Sequence, residues 1–299
     1  MGSQVKEWRQ DSPDGVQGKV RKAEFVRRLL GSLEIPTTKP PSSVDLRAYP
    51  RYLHIVSLAA EYTRGELLGG VRLIQGASGS LRRCRSVLLG TSFALKSVKV
   101  TSESLLKVAV CEYETLVQLD HPHIVSVYAL FLEPEAQEAS LVMDLLPGQS
   151  LYQLLSEGYE FSGECYIEAE VKSVAQQLFS ALFYLKVKDI AHRDLNPANI
   201  MLVDSQATLI DFQTAGSLTP SGLHGVMGTS PYQAPEMWDP EGYGAKVDVW
   251  SLGRVLDRLM QSSNTPPSAA ARELLDWCRK SDPETRCSAK QALGSSWLL

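Results

Sequence analysis

The chain has 299 residues, 44% of them hydrophobic, and its 30 Lys plus Arg against 34 Asp plus Glu leave a formal charge of -4. That much apolar sequence can bury one large core or two smaller ones. The near-neutral balance argues against nucleic acid or an anionic membrane as a partner chosen by overall charge, so any phosphate binding must be local. Five cysteines, Cys84, Cys111, Cys165, Cys278 and Cys287, stand apart with no C-x-x-C pair and no zinc-type His spacing, which reads as free thiols in a reducing compartment. No apolar run approaches the ~18 residues that cross a bilayer, and the polar N-terminus lacks a signal-peptide core. A membrane partner is therefore not expected, and a cytoplasmic location is. Gly2 sits where a myristoylated glycine would, but Lys6 occupies the place that needs Ser or Thr.

Residues 1–65 read as a partly flexible extension, with a basic amphipathic stretch, "VRKAEFVRRLL", and then "EIPTTKPPSSVDLRAYP", whose prolines forbid a long helix. From Val71 onward, "VRLI", "RSVLL" and "FALKSVKV" are separated by glycine turns and predict three antiparallel strands. In "SESLLKVAVCEYETLVQL", Leu105, Val108, Leu116 and Leu119 recur at helical spacing. Two further strand-like runs follow, "HIVSVYALFL" and "ASLVMDLL". After "PGQS" the texture turns helical, with Val171, Val174, Leu178, Leu182 and Leu185 marking one face of "EAEVKSVAQQLFSALFYL". The stretch "AHRDLNPANIMLVDSQATLIDF" reads as two short buried strands, and "KVDVWSLGRVLDRLM" and "SAAARELLDWCRK" as late helices. The expectation is a bilobal α+β fold over residues 66–299. A small β-rich lobe with one helix (66–145) would join a large, mainly α-helical lobe (149–299) near Leu145 to Gly148, leaving a cleft for a ligand.

Several polar groups stand out against this frame. Gly76 and Gly79 in "QGASGS" let backbone N–H groups approach an anion, although the same pattern serves an ordinary hairpin turn. Lys96 lies in a buried-looking strand, where a charge requires a partner or ligand. Glu112 on the following helix can supply that partner, with Glu114 a rival on another face. In "HRDLNPAN", a turn containing Pro197 lets Asp194 and Asn199 point to one side, and "ATLIDF" ends in Asp211. A carboxylate poised to take a hydroxyl proton, with a carboxamide and a second carboxylate as hard oxygen ligands, suits phosphoryl transfer.

Taken together, these residues closely resemble the eukaryotic protein kinase family, in its serine/threonine branch, over about residues 71–299. "FALK" is similar to the strand-lysine motif, Glu112 to the helix glutamate, "HRDLNPAN" to the catalytic loop, and "DF" with Gln213 to the metal-binding motif. "GTSPYQAPE" resembles the end of the activation segment, "DVWSLG" the anchoring helix of the large lobe, and Arg286 the arginine that pairs with Glu236. The resemblance implies a protein kinase-like fold, ATP and Mg²⁺ as cofactors, and a protein substrate phosphorylated on Ser or Thr. It implies Asp194, Lys96, Glu112, Asn196 and Thr229 as catalytic residues and Asn199 and Asp211 as metal ligands. Leu73, Gly76, Ala77, Gly79, Leu81, Ala94 and Lys96 would surround the nucleotide with Met143, Asp144, Leu146 and Met201; Met143 would be the gatekeeper. Leu116, Val127, His192 and Phe212 would form an apolar stack, and Arg193 would pair with a phosphate on Ser217, Thr219 or Ser221.

The sequence departs from the family pattern at Asn196, which stands where a lysine is usual, and at Gln213, which replaces the glycine after "DF". Ile74 takes the place of the first glycine of the phosphate loop. Only 35 residues separate Trp250 from Arg286, leaving little room for the usual docking helix, so substrate choice would rest on other surfaces, with the N-terminal extension or a regulatory partner among them. An alternative to a working enzyme is a pseudokinase that holds nucleotide and acts as a scaffold or allosteric regulator.

Overall fold

A computed structural model describes residues 62–72, 78–87, 90–133, 136–156, 167–263 and 266–299. Most of the expected extension (1–61), together with Leu73, Ile74, Gly76, Ala77 and Cys165, lies outside these residues. The chain divides into two compact units, one containing residues up to Pro122 and Ser126–Leu145, the other His123–Val125 and Leu146–Leu299.

Among the described residues the first unit is a five-stranded antiparallel sheet with one helix. Its strands are β1 (Tyr62–Arg72), β2 (Ser78–Ser86), β3 (Ser92–Lys99), β4 (Val127–Glu133) and β5 (Glu138–Met143), in the spatial order β1-β2-β3-β5-β4. β3 is flanked on both edges, so six consecutive residues, Phe93 to Val98, are buried, Lys96 and Ser97 among them. One face of the sheet is closed by Cys84, Phe93, Leu95, Ala129, Phe131 and Val142, with Tyr62 and Tyr128 packed against them. The rings meet edge to face, Tyr62 with Phe93 at 5.8 Å and Phe93 with Tyr128 at 5.0 Å. β1 begins nine residues before the run "VRLI" that marks it in the sequence, because glycines at 65, 69 and 70 interrupt the apolar alternation there. β4 is likewise shorter than "HIVSVYALFL": His123 to Val125 belong to the second unit, where Ile124 bridges Leu209.

The helix of this unit, α1 (Glu103–Val117), is capped by the Ser102 hydroxyl, which accepts from Leu105 N at 3.3 Å. Its inner face carries Leu105, Leu106, Ala109, Val110, Glu112 and Leu116. Of the residues that the sequence spacing marks, Leu105, Leu116 and Leu119 are buried and Val108 is half-buried.

The second unit is mainly helical. Its long element is α3 (Glu168–Val187), preceded by β6 (Gln149–Ser150) and α2 (Leu151–Ser156); Val171, Val174, Leu178, Leu182 and Leu185 are all buried, as the periodicity predicts. Next come β7 (Ile190–Ala191), a 3₁₀ turn (Pro197–Asn199), β8 (Ile200–Val203), β9 (Gln206–Leu209) and β10 (Gly216–Ser217). A second 3₁₀ turn (Pro235–Trp238) leads to α4 (Lys246–Gln261), α5 (Ala269–Cys278) and α6 (Ala289–Leu293). Residues 262–268 are all that separate α4 from α5, in line with the short interval noted in the sequence. Cys278 and Cys287, nine residues apart in sequence, are both free and buried with their sulfurs 3.5 Å apart. No helix among the described residues is long and apolar enough to cross a membrane.

Candidate active site

In the first unit the strand lysine and the helix glutamate meet. Lys96 Nζ donates to Glu112 Oε1 at 2.7 Å and Oε2 at 2.9 Å, with side chains only 6% and 2% exposed. Glu112, not Glu114, therefore partners the buried cation, because α1 turns its inner face to β3 at that position. Strand register sets Leu81 opposite Lys96 and Ala94 opposite Met143, so three of the expected base-contacting residues lie on adjoining strands. Asp144, just after β5, has its side chain fixed. Tyr128 Oη donates to Oδ1 at 2.5 Å and Ser126 N to Oδ2 at 3.2 Å, while burial and the neighbouring Asp144 charge push the Tyr128 hydroxyl far above the usual phenol range. The Asp144 N–H donates to Ser126 O, which leaves the carbonyl of Asp144 as its main-chain group for a ligand.

The second unit assembles the remaining polar residues around Asp194. Its Oδ1 accepts from Asn196 Nδ2 and from Thr229 Oγ1, both at 2.8 Å, and its Oδ2 from Asn199 Nδ2 at 3.2 Å. Asn196, only 5% exposed, also caps the 3₁₀ turn, its Oδ1 accepting from Ala198 N at 2.9 Å. A neutral amide thus stands in a nearly dry position where a lysine would bring a charge to be desolvated. Gly228, at φ +86, is where the segment carrying Thr229 crosses Asp194: a Cβ there would lie 2.5 Å from Arg193 O. Only glycine allows that approach.

Two non-glycine residues of the site are held in the left-handed region, Arg193 at φ 67 and Asp211 at φ 62. Such residues cost about 1–3 kcal/mol each and persist where the surroundings over-determine them. At Arg193 the surroundings do so through two anchors, a carboxylate and a carbonyl. The His192 and Arg193 N–H groups donate to the carboxylate of Asp248, itself 2% exposed, at 2.7 and 2.8 Å, and burial raises the pKa of that carboxyl. The Arg193 guanidinium donates from Nε to Thr214 O at 2.6 Å and, more weakly, to His224 O and Tyr243 Oη at 3.4 Å. Ser217 and the hydrogen-bonded Thr219 and Ser221 are exposed on the same segment. His192 and Phe212 stack edge to face at 4.6 Å.

Asn199 and Asp211 are neighbours through the backbone, Ile210 N donating to Asn199 O at 3.0 Å. Asn199 spends its amide hydrogens on Asp194, and its carboxamide oxygen takes no part in those bonds. Among the described residues no group of three His, Cys, Asp or Glu is arranged to hold a metal. Mg²⁺ does not require one, since it keeps several waters and takes one or two protein oxygens beside substrate phosphates. The pair Asp211 and Asn199 suits that habit. Met201 is half-buried on β8, close in sequence to this pair, and Leu146 opens the second unit.

A buried Lys–Glu pair in a β-rich unit and an Asp–Asn–Asp set in a helical one are what a bilobal α+β protein kinase fold carries. The protein kinase domain model matches residues 62–267, and the chain belongs to the protein kinase family. It is 34% identical over 237 residues to sperm motility kinase 2A of Mus musculus, covering 78% of this chain and 44% of that protein. It is 28% identical over 291 residues to the mouse serine/threonine-protein kinase PAK 1, covering 87% of this chain and 51% of that protein. The chain thus spans about half the length of these curated relatives.

Proposed function

We propose that this chain transfers the γ-phosphoryl group of ATP to a serine or threonine hydroxyl of a protein. The observation that carries the reading is the triply held carboxylate of Asp194, which leaves it fixed in orientation with acceptor capacity for a substrate hydroxyl. The bare serine/threonine specificity is supported by the relatives, PAK 1 being a serine/threonine-protein kinase by name.

In this reading Asp194 orients the incoming hydroxyl and takes its proton as the oxygen bonds to the γ-phosphorus. The bond from that phosphorus to the β-phosphate bridge breaks in line, and ADP leaves. Lys96 holds nucleotide phosphates, its position braced by Glu112. Leu81, Ala94, Met143 and Met201 would cover the adenine, whose edge would meet the backbone of Asp144 to Leu146, and Gly79, near the start of β2, would border the phosphates. Asn199 and Asp211 would hold Mg²⁺, which when bound would neutralise charge on the transferring group. Asn196 and Thr229 keep the base in place. A folded domain over residues 66–299 carries the whole of this.

The test is transfer of labelled γ-phosphate to a generic protein substrate with Mg²⁺, run beside Asp194→Asn. Loss of a positioned general base lowers the rate by about 10²–10⁴. Equal incorporation by the two proteins removes the enzymatic reading and leaves a nucleotide-holding scaffold.

A further inference from the structure

Gln213 occupies the place after "DF" where the family has glycine, and its side chain does not point idly into solvent. Its Nε2 lies 2.7 Å from Asp211 Oδ1. The nitrogen must be the atom facing that oxygen, because an ionised carboxylate only accepts and a second oxygen at this distance would repel it. The carboxamide oxygen Oε1, one bond pair away, is buried and has no hydrogen-bond partner among the described residues. A buried acceptor without a donor is costly and rare in folded proteins, so the bond from Nε2 to Asp211 is held at the expense of this oxygen.

We propose that Gln213 is a positioning residue for the divalent cation. Its amide nitrogen fixes the rotamer of Asp211, already held at φ 62, and that bond is kept although it leaves Oε1 buried without a donor. Outer partners that orient metal-ligating carboxylates commonly tune affinity for the metal. The inference rests on the phosphotransfer reading of Asp211. It assigns to a residue that departs from the family pattern a part that glycine cannot play, and it needs no motion of the backbone.

The experiment uses the full chain, with Mn²⁺ as the probe, its free fraction followed by electron paramagnetic resonance in the presence of ADP. Gln213→Leu removes donor and acceptor at similar volume. The expected result is Mn²⁺ bound roughly tenfold more weakly, ADP affinity in chelator unchanged, and a Tm without metal equal to or above the parent's, since a buried unsatisfied oxygen has gone. A residue of purely structural importance would lower Tm and leave metal affinity alone. Mn²⁺ affinity equal to the parent's, or an equal loss of ADP affinity with and without metal, overturns the proposal while sparing the phosphotransfer reading. A parent that binds no Mn²⁺ with ADP overturns both. Should the leucine variant fail to fold, Gln213→Gly is read by the same criteria.

Discussion

Asn196 shows how a substitution at one residue can keep a geometry while discarding a charge. Its amide reaches Asp194 Oδ1 and the backbone of Asp194, and lies 3.3 Å from Thr229 Oγ1, so the carboxylate is oriented here by a neutral group. Asn196→Ala is expected to lower kcat by about 10²–10³, the usual effect of losing one preorganised donor, with little change in the KM for ATP. It also loses the cap of the 3₁₀ turn, about 1 kcal/mol of stability. Steady-state kinetics with varied ATP checks the split, and a rise in KM with kcat unchanged would mean that Asn196 serves binding instead. At this scale Asp194, Asn199 and Asp211 are legible in the sequence because their order and spacing are tied to one chemistry. The second role of Asn196 as a cap, and the grip of Gln213 on Asp211, are not. Both depend on backbone angles within loops, which no periodicity encodes.

Single elements are held in register by one buried arginine. Arg286 is 1% exposed and uses all five of its N–H groups. Nη1 donates to Glu236 Oε1 at 2.5 Å and Lys246 O at 2.9 Å, Nη2 to Glu236 Oε2 at 2.9 Å and Ser281 O at 3.2 Å, and Nε to Lys280 O at 2.9 Å. The guanidinium also lies 5.1 Å from the Trp250 ring. It therefore ties the Pro235–Trp238 turn, the start of α4 and the loop after α5 to one planar group. Lysine, with three donors on a flexible stem, cannot reproduce that fork. Arg286→Met leaves the buried Glu236 carboxylate without its partner and is expected to cost about 3–5 kcal/mol. Pairing it with Glu236→Leu should return much of the loss, which urea denaturation of the parent, both single variants and the double variant measures. Strictly additive losses would show that the ion pair contributes nothing beyond its separate parts. The elements themselves were readable wherever an apolar stripe ran uninterrupted, as in α3 and α4. They are not legible where glycine breaks the pattern, as at the start of β1, or where a run of apolar residues changes units, as at His123 to Val125.

Across the molecule as a whole, distant stretches of the second unit converge on a group that the sequence does not single out. Glu168, at the start of α3, accepts from Ser268 N at 2.8 Å, from Ser268 Oγ at 2.5 Å and from Trp297 Nε1 at 2.8 Å, joining the first turn of α3, the cap of α5 and the last residues of the chain. Partial burial pushes its pKa up, but the hydrogen bonds from Ser268 and Trp297 and the charge of Arg272 together outweigh this, and the net result lies below the ordinary 4.5. The folded state thus holds the ionised form more strongly than the unfolded chain does. Its contribution to stability is present above pH 4.5 and is lost as the pH falls through the lowered folded value. Glu168→Gln turns one acceptor oxygen into a donor facing other donors, so it should melt below the parent at pH 7. The gap in Tm between the two proteins is expected to close as the pH drops below 4.5, where the parent's carboxyl takes up its proton. Paired melts from pH 7 down to pH 3.5 test this, and a gap that stays constant over that range would mean that ionisation of Glu168 plays no part in holding these three stretches together.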